Sequence, residues 1–240
     1  MTGARLRALI IVGTVIVGVA GLALAITTRP RPHLAAAPNE KAPLQLLTSL
    51  PIVFGEDFNV KSAGSPALTA LSKNFTVSPV STTSTKDLHD SLLLMAQPPA
   101  QTPENLVALD AWVRRGGRVL LLADPLLEWP SKRPLGDPLR PPPMFTDTGL
   151  LSHWGLRLDA PDARGAAERR LAGHTIVTLS PGALYGRCNI SSDRLVAECR
   201  IGKGWAAVVA DADFLNVQDL GPEAKDNLDG VIAELTRLER

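Results

Sequence analysis

Two cysteines in 240 residues are too few for a disulfide-built scaffold or a four-thiolate zinc site. Aromatic residues make up only 4% of the chain, which argues against a stacking platform for sugars or single strands. Charge of neither sign dominates. The 25 Lys plus Arg and 24 Asp plus Glu leave a formal net charge of +1, so no nucleic-acid partner is expected. Sequence signatures of common chemistry are also missing. There is no G-x-S-x-G elbow, no G-x-G-x-x-G or Walker phosphate loop, and no H-E-x-x-H. The histidines at 33, 89, 153 and 174 are scattered and read as surface or partly packed residues.

Long apolar runs are scarce as well, with one exception. Residues 8–28 (ALIIVGTVIVGVAGLALAITT) carry no charge over 21 positions, and a bilayer core of about 30 Å needs about 20 such residues as helix. We read 1–28 as an N-terminal transmembrane anchor. A cleaved signal peptide with a small-x-small site at Ala23-Leu24-Ala25 is the competing reading, although its apolar segment is usually shorter. Both readings place residues 29–240 outside the cytoplasm, on the periplasmic side of a bacterial inner membrane. Residues 29–43 contain four prolines and three consecutive alanines without apolar periodicity, as an extended tether does. The remainder, 44–240, suits one α/β domain.

Within that domain short apolar runs alternate with amphipathic ones. Strands are expected at Leu44–Phe54 and Phe75–Val80, with a short helix at Ala67–Lys73 between them. Ser91–Ala96 and Arg118–Ala123 are apolar on both faces, as parallel strands covered by helices are. Between them Thr102 offers a cap, Pro103 fits the first helical position, and Gly116-Gly117 ends the helix. The 91–125 segment therefore reads as a right-handed β-α-β unit. Seven prolines in residues 125–143 predict a long surface loop. Phe145–Trp154 looks helical, Leu156–Leu158 a brief strand, and His174–Leu179 the start of a β-rich section. Leu184–Ile190 and Leu195–Ile201 flank a turn whose two-residue loop, Asp193-Arg194, puts Cys188 opposite Cys199. A disulfide there is favoured, with two reduced buried thiols as the alternative. Trp205–Ala210 is a third apolar strand. In the last helix, Pro222–Leu238, residues Ala224, Leu228, Val231, Leu235 and Leu238 share a stripe facing the sheet. Trp112, Trp154 and Trp205 are expected in the core, and Trp129 in the proline-rich loop is expected to be exposed.

Candidate chemistry gathers at three carboxylates. Asp124, Asp211 and Asp213 follow the C-terminal ends of two expected parallel strands, the edge where ligands bind in open α/β sheets. Converging there, they could share a divalent cation or act as acid and base in a metal-assisted hydrolase or transferase. Aspartate after a strand also caps the next turn, which favours a structural role. Asp211-x-Asp213 matches the metal motif of nucleotide-sugar glycosyltransferases, but no phosphate loop accompanies it. No cofactor is expected.

Three stretches taken together resemble a known family. They are Leu47–Phe54 (LLTSLPIVF with its preceding residue), Leu106–Pro125 (LVALDAWVRRGGRVLLLADP) with Gly149–Leu158 (GLLSHWGLRL), and Gly202–Asn216 (GKGWAAVVADADFLN) with Asp226-Asn227. This pattern is similar to the extracytoplasmic domain of gliding-motility-type (GldG-like) ABC-transporter auxiliary proteins and related bacterial membrane-anchored proteins of unknown function. The resemblance implies a three-layer α/β sandwich like that of class I glutamine amidotransferases, without the amidotransferase nucleophile. It also implies a non-catalytic binding or assembly role beside a protein partner in an envelope complex. Asp124, Asp213 and Asn227 match motif positions, and with Asp211 they form the candidate binding set. The larger transporter-associated members carry further membrane spans, whereas this chain shows one candidate.

Overall fold

The computed structural model describes residues 41–55 and 64–240. The expected anchor at 8–28, and the tether up to residue 40, lie outside the described residues. Among those described, no helix is long and apolar enough to cross a membrane.

A seven-stranded sheet organises the domain. Strands β1 (Ala42–Thr48), β2 (Phe75–Pro79), β3 (Leu92–Ala96), β4 (Arg118–Leu122) and β11 (Gly204–Val209) run parallel, in the order β2-β1-β3-β4-β11. Two antiparallel strands, β10 (Val196–Ile201) and β9 (Asn189–Ile190), complete it. Both edges are short of free pairing groups. β9 has two residues, and β2 ends at Pro79, which has no N–H to offer a further strand.

Helices α1 (Pro66–Asn74), α2 (Pro103–Arg114), α3 (Leu150–His153), α4 (Val217–Leu220) and α5 (Asn227–Glu239) surround the sheet. Alternation along each strand sends side chains to two separate cores. Leu44, Leu94, Leu120 and Val209 meet Leu71 of α1 and Val231 and Leu235 of α5 on one face. Leu93, Met95, Leu121 and Val208 meet Leu109 and Trp112 of α2 and Leu151 of α3 on the other. Strands buried on both sides are why their sequences are uniformly apolar.

Local chemistry starts the helices where expected. The Ser65 hydroxyl accepts from the Leu68 N–H at 3.1 Å, and the Thr102 hydroxyl accepts from Asn105 at 3.3 Å, each followed by proline. Close packing of α2 on β11 depends on Gly204, where a Cβ would sit 2.1 Å from the Gly117 carbonyl oxygen.

Several elements differ from expectation. β1 begins at Ala42, inside the presumed tether, and ends at Thr48, after which the chain turns. The helix expected from Phe145 is only Leu150–His153, because Gly149 adopts φ +104° and the preceding residues take irregular backbone. Leu184–Ile190 is not one strand. β8 (Ala183–Gly186) pairs with β5 (Leu156–Asp159) in a small separate sheet, and the chain then crosses to β9. At Gly186, φ is +148° and the backbone passes so close to Gly155 that a Cβ would lie 2.1 Å from its carbonyl oxygen. β6 (Ala166–Leu171), pairing with β7 (His174–Leu179), was not anticipated. The closing helix begins at Asn227 after a 3₁₀ turn at Pro222–Ala224. Trp205 is 38% exposed rather than buried, with the Arg200 guanidinium 6.0 Å from its ring centre. Trp129 packs partly buried against the first core. The β9–β10 register, Glu198 opposite Asn189, continues to Cys199 opposite Cys188, and those two are joined by a disulfide.

Candidate functional site

β4 and β11 are neighbours, so the residues that follow them leave the sheet side by side at its carboxyl edge. That geometry brings Asp124, Asp211 and Asp213 together, all essentially without solvent exposure. What each carboxylate touches decides what the cluster can do.

Asp124 Oδ1 accepts from the Leu126 N–H at 2.8 Å, and its Oδ2 accepts from Ala212 at 2.9 Å and Asp213 at 3.3 Å. Asp211 uses one oxygen for Leu179 N–H at 3.0 Å and the other for Phe214 N–H at 3.0 Å. Asp213 Oδ2 accepts from Glu128 N–H at 2.7 Å. Six backbone amides, from the loop after β4, the turn after β11 and the end of β7, thus converge on three side chains. Asn227, the fourth candidate, is equally committed. Its Oδ1 accepts from Val177 N–H at 2.8 Å, while Nδ2 donates to the carbonyls of Val177 and Phe214, both at 2.8 Å. These residues replace the sheet ladder where strands end, satisfying amides that would otherwise be buried without partners.

Burial and the charge of neighbouring carboxylates raise the proton affinity of all three. Burial pushes Asp124 above the usual carboxylate range, opposed by its amide bonds. Burial, then the Asp124 charge, raise Asp211 well above that range. The same two causes, in the same order, push Asp213 up to about 7. Buried carboxylates without a counter-charge hold protons for these reasons. Among the described residues, no group of three His, Cys, Asp or Glu is arranged to hold a metal ion. Five of the six oxygens that a shared cation would need accept from amides instead, and Asp213 also contacts the Asp124 carboxyl.

Sequence reasoning missed a fifth member. Gln97, buried at the end of β3 with φ +41°, accepts from Asp124 N–H at 3.0 Å. Its Nε2 donates to the Asp124 carbonyl at 3.3 Å and the Pro142 carbonyl at 3.1 Å. Gln97 therefore pins the proline-rich loop to the sheet edge, and the two prolines that follow it at 98–99 are the only sequence hint of an abrupt strand exit. The hydroxyl of Ser180 donates to Glu128, joining β7 to the same loop. Beside this edge lies a cavity of about 220 Å³ lined mainly by apolar groups, including Leu46, Leu50, Val80, Leu139 and Pro141.

No family model matches the chain, and no curated protein matches it. Solved structures with a partly similar course include the exo-β-1,4-mannosidase from Opitutaceae bacterium strain TAV5, at 13% identity and TM-score 0.49. That match covers 82% of this chain and 36% of the mannosidase. A GH42 β-galactosidase from G. stearothermophilus gives 13% identity and TM-score 0.48, covering 84% of this chain and 30% of the galactosidase. A cytoplasmic protein from Salmonella typhimurium gives 11% identity and TM-score 0.47, covering 82% and 98%. The chain thus spans about a third of the length of the first two.

Proposed function

We propose that this chain is a non-catalytic, membrane-anchored binding or assembly domain, held on the periplasmic side by residues 8–28 and auxiliary to an ABC-type transporter or another envelope complex. In this reading it belongs with the GldG-like auxiliary domains, and its helix-covered sheet is a variant of the class I glutamine amidotransferase-like three-layer sandwich. The observation that carries the non-catalytic part is the use of the Asp124, Asp211 and Asp213 oxygens as acceptors for backbone amides. A catalytic carboxylate needs an oxygen aimed at substrate or metal, and here five of the six accept from the protein's own backbone amides.

Two further features support the reading. The Cys188–Cys199 disulfide, with no free cysteine among the described residues, suits an oxidising compartment. The proline-rich loop carries Leu135 at 79%, Leu139 at 57% and Met144 at 56% exposure, an apolar set suited to contact with a partner protein. The test is capture from native membranes by the detergent-solubilised full-length chain, followed by identification of bound proteins. Leu135→Glu with Leu139→Glu is expected to lose the partner, and Asp213→Asn is expected to keep it. A Mg²⁺-dependent hydrolysis or transfer activity abolished by Asp213→Asn would replace this reading with the metal-assisted enzyme.

A further inference from the structure

A second site lies away from the carboxylate cluster, where the β6–β7 hairpin meets the strand β8 and the turn before β10. A cavity of about 200 Å³ opens there between residues 162–169, 181–183 and 193–194. Three of its lining residues are arginines from two stretches: Arg164 just before β6 and Arg169 within it, and Arg194 in the turn.

None of the three has a carboxylate partner among the described residues. Arg164 makes no hydrogen bond or ion pair there. Arg169 donates only to the neighbouring Glu168 carbonyl at 2.9 Å. Arg194 donates to the Tyr185 hydroxyl and lies 4.5 Å from that ring's centre. Elsewhere Arg114, Arg157 and Arg237 are each held by an aspartate or glutamate, while Arg118, Arg140 and Arg170 donate to backbone carbonyls as Arg169 does. Two aspartates, Asp162 and Asp193, line the cavity beside the three arginines, so the arginines leave one positive charge in excess. Asp193 Oδ1 accepts from the Ser191 hydroxyl at 2.6 Å and the Leu195 N–H at 3.3 Å.

The backbone around the cavity is unusual too. Four described non-glycine residues adopt positive φ, and two of them border this spot: Arg194 at +58°, and Ser180 at +49° directly before Pro181. Residues held in the left-handed region persist where surrounding structure enforces them, and they concentrate at binding sites. Here hydrogen bonds enforce both. The Arg194 carbonyl accepts from Leu184 N–H at 2.9 Å, and Ser180 N–H donates to the Gly165 carbonyl at 2.8 Å.

We propose that Arg164, Arg169 and Arg194 form a binding site for a phosphate group. A planar carboxylate fills one guanidinium fork, whereas a tetrahedral, multiply charged oxyanion presents oxygens to several forks at once. Small lining residues (Ala166, Ala167, Gly182 and Ala183) leave room for the group that carries the phosphate. The inference is independent of the assembly role above, because it uses none of the same side chains.

The test uses full-length protein in non-ionic detergent and reads melting temperature at pH 7.5. Inorganic phosphate is compared with chloride at equal ionic strength, in parallel with micelles doped with phosphatidylglycerol. A rise of about 3 °C in phosphate, near tenfold above the dissociation constant, is expected for wild type and Arg200→Gln and absent in Arg164→Gln and Arg169→Gln. The same pattern with the doped micelles alone would assign the phosphate to a lipid headgroup and equally support the site. No rise in either arm, or a rise that survives Arg164→Gln and Arg169→Gln or is lost equally in Arg200→Gln, would overturn it. If one of the two pocket variants does not fold, the other decides.

Discussion

Two charged clusters in this molecule use their polar atoms in opposite ways. Asp124, Asp211 and Asp213 are sealed at the sheet edge, and five of their six oxygens accept from six backbone amides. Arg164, Arg169 and Arg194 line an accessible cavity with donors unspent on any carboxylate. Position after a parallel strand makes the aspartates the candidate set for chemistry, although a structural role is the favoured reading of the sequence. Their hydrogen bonds agree with that structural role. A charged group whose bonding capacity is consumed internally is part of the scaffold, and one with capacity to spare is where a ligand can gain something. Removing a member of each cluster should therefore produce different signatures.

The largest effect is expected for Asp211→Ala. It strands the Leu179 and Phe214 amides in a buried position, at about 1–3 kcal/mol for each unsatisfied group, so chemical denaturation should show a loss of about 4 kcal/mol. A loss under about 1 kcal/mol would mean the cluster is not scaffolding. Reduction of the Cys188–Cys199 bridge comes next. It closes a short loop, with a sequence separation of 11, and chain-entropy arguments give about 3 kcal/mol for a loop of that size. Thermal melts with and without reductant check it.

The pH dependence is smaller and has a definite sign. Asp213 binds its proton more tightly folded than unfolded, because its folded value is pushed up to about 7. The stabilisation it provides is present below the unfolded value near 4 and is lost as pH rises through 7. Asp124 and Asp211 shift in the same direction. Between pH 5 and pH 8 the Asp213 contribution alone should lower stability by about 3 kcal/mol, at about 1.4 kcal/mol per pH unit up to pH 7. Asp213→Asn, which keeps an acceptor for Glu128 N–H but cannot ionise, should flatten that slope; an unchanged slope would exclude Asp213 as its source. The smallest effect is expected on the other side of the comparison. Arg164→Gln should change stability in denaturation by no more than about 0.5 kcal/mol, as exposed substitutions without partners do.

How much of this was legible in the sequence varies along the chain for physical reasons. The β3–α2–β4 unit was readable because each signal agreed: apolar runs, the Thr102-Pro103 start and the Gly116-Gly117 stop. β6 was not, since Ala166–Leu171 (AAERRL) is a largely exposed strand whose charged residues hide the alternation. Phe145, Leu150, Leu151 and Trp154 satisfy helical spacing, yet Gly149 confines the helix to four residues. Trp205 was misplaced because a fully apolar run does not reveal which end of a strand emerges from cover. At the edge, the proximity of Asp124 to Asp211 and Asp213 followed from two adjacent parallel strands. Their partners did not follow, because Glu128 and Gln97 lie beyond strand ends on paths no local pattern encodes, and the sequence does not show where Leu179, at the end of β7, packs. The arginine cavity is invisible for the same reason: tertiary packing alone brings Arg194 to Arg164 and Arg169.

The account rests on the aspartates being structural, and the melting temperature of the full-length protein at pH 7.5 with and without 10 mM Mg²⁺, on the order of a hundredfold above a sub-millimolar dissociation constant, tests that most directly. No change in either wild type or Asp213→Asn is the predicted result. A rise of several degrees in wild type that disappears in Asp213→Asn would contradict it.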